Sequence, residues 1–223
     1  MKAHPSIAFN NFSGTSGEVT SRETKNGTVL SVRAKHAATA SPQQKSVRAI
    51  MARVGRRFRY LTAEQAAEWN RFAAQHYAGE QLTGCNVFVR LNCNRAMMGL
   101  ELLLWPPADV VGVPDVIFQK CLVTPSLVQF TGIEFAGDGM RLAVGMSNAV
   151  SPGVSYGVGR AVILDPDFIP TAGRAVITEI CTERLGVEPV PGLKYFLQVY
   201  WIDRDTGFAG NKTVIDRICL ENI

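Results

Sequence analysis

Alternating polar and β-branched residues near the N-terminus predict a β-hairpin. Segments 17–22 and 28–33 both alternate, and Lys25-Asn26-Gly27 lies between them. Asn-Gly between two alternating segments is a strong signal for a tight hairpin turn. One hairpin alone is marginally stable in water, so this one needs a further surface in the same chain or in another subunit. We therefore expect residues 1–40 to form an extended assembly arm. Its apolar contact residues are Val19, Val29 and Val32.

The next periodic segment predicts a basic amphipathic helix over residues 42–60. Ser41 is a favoured N-cap residue, and Pro42 suits the first helical position. Apolar residues then recur at a spacing that forms one stripe of a helix. They are Val47, Ile50, Met51, Val54 and Phe58. Basic residues cover the remaining circumference, and they are Lys45, Arg48, Arg53, Arg56, Arg57 and Arg59.

Two more helices are predicted before residue 100. Thr62-Ala63-Glu64-Gln65 is a capping box that begins the second helix, and Gly79 is expected to end it. Its apolar stripe is Ala66, Trp69, Phe72, Ala73 and His76. A third helix is expected from about Asn86 to Met98. Three short helices joined by short loops form a small bundle, so residues 41–106 are predicted to be a helical assembly domain.

After a proline-rich linker at residues 107–114, the pattern changes to short strands. Strands are expected at 127–133, 140–146, 160–164, 174–180, 195–202 and 213–220. Turn signals separate them, among them Asp165-Pro166-Asp167. Six or seven strands in about 105 residues predict an antiparallel β-sandwich over residues 115–223. The predicted fold class is therefore α+β, with a hairpin arm, a helical bundle and an Ig-like sandwich.

Charge is divided unevenly along the chain. Residues 1–60 contain eleven Lys/Arg and two acids, whereas residues 61–223 contain twelve and seventeen. The two parts therefore carry +9 and −5, which agrees with the net +4 of the chain. Such asymmetry indicates different roles for the two ends. The basic end would suit nucleic acid, an acidic protein face, or the acidic part of a neighbouring copy.

Few residues offer catalytic or metal-binding chemistry. Of the three histidines, His4 and His36 lie in polar segments, and His76 on its apolar stripe is interpreted as a packing residue. A Cys85–His76 pair lacks a surrounding nucleophile motif. The five cysteines are too widely spaced for a zinc site or disulfide framework, so we interpret them as buried, reduced thiols. They are Cys85, Cys93, Cys121, Cys181 and Cys219.

Acidic pairs and hydropathy lead to the same interpretation. Asp165 with Asp167, and Asp203 with Asp205, carry oxygen ligands suited to calcium, but exposed turns are the favoured interpretation. No apolar run approaches the roughly 20 residues of a membrane span, and the N-terminus lacks a signal-peptide core. We therefore predict a non-enzymatic protein made in the cytoplasm, with no cofactor, no metal and no membrane partner.

Two segments resemble known families. Pro191-Gly192-Leu193-Lys194-Tyr195, with Val199 beyond it, resembles the Pro-Gly-x-x-Tyr-x-x-x-Val segment of fibronectin type III domains. The resemblance implies that Tyr195 forms a tyrosine corner at the start of a core strand. The segment departs from the family at Pro189, where a leucine is usual.

The second resemblance covers residues 1–99. Ser-Pro-x-Gln at 41–44, Leu-Thr-x-x-Gln-x-x-x-Trp at 61–69 and Gly-x-x-x-Phe-x-x-x-Asn at 84–92 follow the glycine- and serine-rich hairpin. This order resembles small structural proteins of bacteriophages and prophages, some of which carry an Ig-like C-terminal domain. It implies a virion component, in the capsid, neck or tail, whose partners are copies of itself and other virion proteins.

Two other functions remain open. The basic helix 42–60 would contact nucleic-acid phosphates in a salt-dependent way through Arg48, Arg53, Arg56, Arg57 and Arg59. Against this, the second helix carries Glu64 and Glu68 on its outer face, with only Arg71. A carbohydrate-binding module is the other alternative. Its stacking faces would be Tyr200, Trp201 and Phe208, although core burial explains these aromatic residues equally well.

Overall fold

The computed structural model describes residues 2–3, 14–16, 18–24, 27–32, 42–156 and 161–221. The chain divides into two compact units, Met1–Lys45 and Ser46–Ile223, and each is described by itself. The described residues form four α-helices and three antiparallel sheets. The predicted α+β class is confirmed at this level. The division predicted at residues 107–114 stays a prediction.

The first unit contains a four-stranded sheet in the order β1-β4-β3-β2. Its strands are β1 at Lys2–Ala3, β2 at Gly14–Ser16, β3 at Val19–Thr24 and β4 at Gly27–Val32. β3 and β4 pair from Val19 opposite Val32 to Thr24 opposite Gly27. Lys25 and Asn26 lie outside the described residues, so the predicted turn stays a prediction. The short strands β1 and β2 flank this pair, and they escaped prediction because two or three residues show no alternation.

Helices follow in the order that the hydrophobic pattern predicts. They are α1 at Pro42–Phe58, α2 at Ala63–His76 and α3 at Gly84–Met97, with a short 3-10 helix at Ala78–Glu80. The predicted capping box is confirmed, because Gln65 N donates to Thr62 Oγ1 at 3.2 Å and Thr62 N donates to Gln65 Oε1 at 3.0 Å. Helix α3 begins before Asn86 because the Thr83 side chain caps it, accepting from Asn86 N at 3.3 Å. Ser41, the predicted N-cap of α1, lies outside the described residues.

Two antiparallel sheets follow the helices, in the orders β5-β6-β9 and β11-β10-β7-β8. Their strands are β5 at Lys120–Val123, β6 at Val128–Thr131, β7 at Met140–Met146, β8 at Val162–Phe168, β9 at Arg174–Val176, β10 at Lys194–Asp203 and β11 at Thr213–Ile218. Both sheets supply one hydrophobic core, which includes Phe130 of β6, Leu142 of β7 and Trp201 of β10. As the sequence suggests, β10 is buried on both faces. Its second face packs with Met98 through Tyr200 and Ile202.

Two predictions for this region are wrong. The predicted strand 174–180 ends at Val176, and helix α4 occupies Thr178–Leu185. Cys181 on this helix is fully buried in the shared core, and Gly186, with φ of 73°, ends the helix. The predicted turn at Asp165-Pro166-Asp167 lies instead within β8, where pairing with β7 shifts in register. β8 is an edge strand, and an edge with a bulge tolerates the missing N–H of proline.

The turn after β10 joins the sheets to the helices. Gly207 has φ of 79°, and a Cβ there would collide with the Leu91 carbonyl, so glycine is required. Asn94 Nδ2 donates to Gly207 O at 2.8 Å. Phe208 then enters the core cluster of the helices. Within the described ranges, no helix is long and apolar enough to cross a membrane.

Candidate functional site

Residues of the sequence motifs at 61–69 and 84–92 hold the helical region together. Trp69 is fully buried, and its Nε1 donates to Leu104 O at 3.0 Å. The ring of Phe88 lies between two others, 5.2 Å from Trp69 and 5.3 Å from Phe58, both edge-on. Such aromatic contacts stabilise a core by more than the burial of their apolar area alone would. The side chains of Trp69, Phe88 and Phe58 therefore stabilise the helical core by packing.

Gly84 and Asn92 complete the same arrangement. A Cβ on Gly84 would overlap Asn70, whose side chain accepts a hydrogen bond from Gly84 N at 3.2 Å. Asn92 is fully buried and bonds Leu103 twice. Its Nδ2 donates to Leu103 O at 3.2 Å, and its Oδ1 accepts from Leu103 N at 2.7 Å. These bonds fasten the segment after α3 onto the helices.

Arg95 fastens two further segments to α3. Its Nε donates to Glu101 O at 2.9 Å. Its guanidinium also donates to the carbonyls of Arg204, at 2.7 Å, and of Asp205. Arg95 therefore has a positioning role, because its donors serve backbone groups of the same chain.

Helix α1 is strongly basic and only partly covered. Its 17 residues include Lys45, Arg48, Arg53, Arg56 and Arg57 and no acid. Of the predicted apolar stripe, Val54 is fully buried, and Ile50 and Phe58 are partly buried against the helical core. Val47 and Met51 stay 45% and 51% exposed. The stripe therefore packs at its C-terminal end and lies uncovered at its N-terminal end.

Three of the five predicted arginines line one groove. Arg53, Arg56, Arg57 and Tyr60 form one wall, and Ala96 with residues 99–102 forms the other. The groove encloses about 670 Å³, within the range of ligand pockets. Among the described residues, these three arginines form no ion pair, although Arg56 Nε donates to Ala52 O at 3.3 Å. We call this the arginine groove.

The composition of the groove is mixed. Leu100 and Leu102 give the second wall an apolar character, and Glu101 is the acidic side chain that lines it. Arg48 on α1 and Arg59, just beyond its C-terminal end, are exposed but do not line the groove. At 100° per residue they lie on the opposite flank of the helix. The structure therefore divides the predicted arginines between two flanks.

The predicted residues of the assembly arm lie in the sheet of the first unit. Val19 and Val32 are exposed and stand opposite each other on β3 and β4. Val29 is partly buried and pairs with Arg22 on one side and Lys2 on the other. Two of the three valines are therefore adjacent and accessible on one pair of strands.

The described histidine and cysteine side chains, which have catalytic potential, take part in packing or in local contacts. The His76 ring lies 4.6 Å from the Phe72 ring, and its Nδ1 is 3.9 Å from Asp109 Oδ1. His4 and His36 lie outside the described residues.

Cys121 and Cys181 are buried free thiols, and burial raises the pKa of each to about 12. At neutral pH they are therefore protonated and poorly nucleophilic. Cys219 is also buried, whereas Cys85 and Cys93 are partly exposed, so the prediction of five buried thiols is wrong for these two.

The acidic pairs take part in local contacts. Asp203 Oδ1 accepts from Thr206 N at 2.7 Å and from Thr206 Oγ1 at 2.5 Å, which suits its predicted turn. Asp165 Oδ1 accepts from Asp167 N at 2.8 Å, and Asp167 pairs with Arg141 at 3.2 Å. Within the part of the chain that the structure describes, no group of three or more His, Cys, Asp or Glu is placed to hold a metal ion.

The aromatic residues that suggested carbohydrate binding are buried. Tyr200, Trp201 and Phe208 all belong to hydrophobic clusters and present no face to solvent. Stacking on a sugar ring needs an exposed aromatic face, so these three residues cannot supply it. Sequence reasoning alone could not separate burial from exposure on a strand that is apolar at nearly every position.

Comparison with known proteins finds no matching family model, no matching curated protein and no matching solved structure.

Proposed function

We propose that the protein is a structural component of a bacteriophage virion, a capsid accessory, neck or tail protein, that assembles through its N-terminal region. The observation that carries the proposal is the surface of α1, where arginines that form no ion pair with any described residue accompany the uncovered side chains of Val47 and Met51. Exposed apolar side chains bordered by charge are typical of protein interaction surfaces. Exposed Val19 and Val32 would add a second contact, through the arm.

Support for the virion role comes from the sequence resemblance over residues 1–99. Trp69, Phe88, Gly84 and Asn92, which carry that resemblance, all make specific packing or hydrogen-bond contacts. A motif composed of fold-specifying residues suits a shared architecture better than a shared active site. The proposed role is therefore structural and needs no cofactor.

We also infer that the C-terminal sheets form an Ig-like sandwich. Taken in chain order, β5, β6 and β9 correspond to strands A, B and E, and β7, β8, β10 and β11 to strands C, C′, F and G. Tyr195 lies at the start of β10, is buried, and accepts a hydrogen bond from Val190 N at 2.8 Å. A tyrosine corner has this geometry at the start of strand F. The module would project from the assembled N-terminal region as a contact or decoration domain.

Light scattering of the purified full chain, across concentration and salt, tests the assembly role. We expect a discrete multimer or progressive assembly. A variant lacking residues 2–35 should fail to assemble while its near-ultraviolet circular dichroism shows a folded sandwich. Normal assembly of this truncated protein would contradict a role for the arm.

Nucleic-acid binding is a second candidate function, favoured by the position of Arg53, Arg56 and Arg57 along one groove. Replacing all three with glutamine should weaken DNA binding. The slope of log K against log salt should decrease by about 0.9 for each phosphate that the protein no longer neutralises. If the unmodified protein does not bind DNA even at low salt, this candidate is excluded.

A further inference from the structure

An acidic surface with uncovered valines surrounds helix α4. It consists of Glu179, Glu183, Val187, Glu188 and Val190, and we call it the α4 surface. All five residues are exposed, with Val187 at 54% and Val190 at 48%. In the described ranges, none of the three carboxylates forms an ion pair. This surface therefore combines negative charge with apolar area that nothing described covers.

The α4 surface is complementary to the arginine groove in charge. The groove presents three arginines and the α4 surface presents three carboxylates, none of which forms an ion pair with a residue that the structure describes. Oppositely charged patches attract each other and fix the register of a complex. Both surfaces lie in the same compact unit, and both are accessible to solvent. Each is therefore available for contact with a second copy.

The two surfaces also match in spacing and in polarity. Arg53 and Arg57 lie four residues apart on α1, and Glu179 and Glu183 lie four residues apart on α4. Residues at this separation are roughly 5–6 Å apart on a helix surface, so two charge pairs can form together. The valines of the α4 surface would then meet the apolar wall that Leu100 and Leu102 form.

We propose that the arginine groove of one copy binds the α4 surface of a second copy. The inference rests on the proposed assembly role and names the surface that the basic helix meets. A nucleic acid suits the groove less well, because its phosphates would meet the apolar wall that Leu100 and Leu102 form, whereas the α4 surface offers valines to that wall. Two different surfaces meet in this contact, so copies add head to tail, which produces a ring or an open filament.

Charge reversal on each side tests the contact. Neither R53E/R57E nor E179R/E183R should assemble at concentrations where the unmodified chain does. We expect the concentration for half-assembly to rise at least ~10-fold in each, since breaking close interfacial charge pairs costs more than about 1.4 kcal/mol. In a one-to-one mixture, the acidic groove of the first variant faces the basic α4 surface of the second. Assembly should therefore return in the mixture.

The matched control is E134R/E221R, which reverses two exposed carboxylates outside the α4 surface. It has the same charge change as E179R/E183R and should assemble like the unmodified chain. Circular dichroism should show every variant folded, because all the substituted side chains are exposed.

Three outcomes overturn the proposal. If E179R/E183R assembles normally, or if the mixture of variants stays unassembled, the α4 surface is not the partner, while the assembly role stands. If R53E/R57E loses only DNA binding, the groove binds nucleic acid instead. If the unmodified chain stays monomeric at every concentration and salt, the proposed assembly role fails together with this contact.

Discussion

Helices α1 and α2 have similar amphipathic patterns but different surroundings. In α2, Trp69, Phe72 and Ala73 of the predicted stripe are buried in the helical core. In α1, the equivalent stripe is buried at Val54 and exposed at Val47 and Met51. A stripe covered by its own chain contributes to folding, whereas an uncovered one is available to a partner. The pattern of a helix therefore predicts which face is apolar but not what covers it.

Among the substitutions considered, the largest loss of stability is expected in the buried stripe of α2. Trp69→Ala removes one of the two fully buried tryptophan side chains among the described residues, together with its hydrogen bond to Leu104 O. We expect the free energy of unfolding to decrease by roughly 3–5 kcal/mol, because a cavity remains. Urea denaturation measures this change, with Trp69→Phe as the milder control. A decrease below about 1 kcal/mol would mean that the helical core is not as tightly packed as described.

Asn92→Ala tests the hydrogen bonds that hold one groove wall. The substitution leaves the N–H and C=O of Leu103 without these partners, which costs about 1–3 kcal/mol of stability. Asn92→Asp keeps an acceptor for Leu103 N and is the matched variant. Urea denaturation gives the cost, and an unchanged midpoint for Asn92→Ala would show that the segment after α3 is held by other interactions.

The buried thiols in the core shared by the two C-terminal sheets make the stability of the fold depend on pH. The thiols of Cys121 and Cys181 ionise near pH 9 in the unfolded chain, whereas burial raises the pKa of each to about 12 in the folded protein. The unfolded state therefore loses its protons first. The stability that the protonated thiols contribute is fully present below pH 9 and falls as the pH rises towards 12.

Each of these thiols contributes a slope of about 1.4 kcal/mol per pH unit across that interval. Urea denaturation from pH 8 to 11 measures it. Cys181→Ala should remove the share of one thiol from the slope, whatever its effect on stability at neutral pH. A slope that stays the same in this variant would contradict the assigned burial of Cys181.

The smallest effect on folding is expected at the uncovered end of α1. Met51→Ala should change the free energy of unfolding by less than about 0.5 kcal/mol, because half of this side chain already faces solvent. The same substitution should weaken self-association in light scattering if the uncovered stripe is part of an interface. Val54→Ala is the matched control within the same stripe, and it should instead destabilise the fold.

Local sequence features predicted the beginnings and ends of several elements. Thr62 and Gln65 form the predicted capping box, and Met140–Met146 forms the predicted strand, because the interactions involved are between neighbours in the chain. Residues 178–180 were assigned to the end of the predicted strand 174–180, but the structure places them in helix α4 at Thr178–Leu185. Their helix is stabilised by burial of Cys181 against the sheets, an interaction that the local pattern does not contain.

The candidate site was predictable in part. Arg53, Arg56 and Arg57 stand out in any count of charge along the chain. The groove, however, also needs the segment after α3, which Asn92 and Arg95 fasten in place. In sequence, Arg95 looks like the arginines of α1. In the structure, its guanidinium donates hydrogen bonds to backbone carbonyls of distant segments, whereas the groove arginines of α1 form no ion pair with any described residue.

By itself, the sequence determined the α+β class, the basic helix, the capping box and the uneven distribution of charge, because each depends on residue type and short-range spacing. Only the tertiary structure decided that Tyr200, Trp201 and Phe208 are buried, that Val47 and Met51 are not, and that three arginines share one groove. Exposure is a property of what the rest of the chain brings against a surface. Interactions between residues far apart in sequence, such as Asn94 with Gly207, establish it, and no local pattern encodes them.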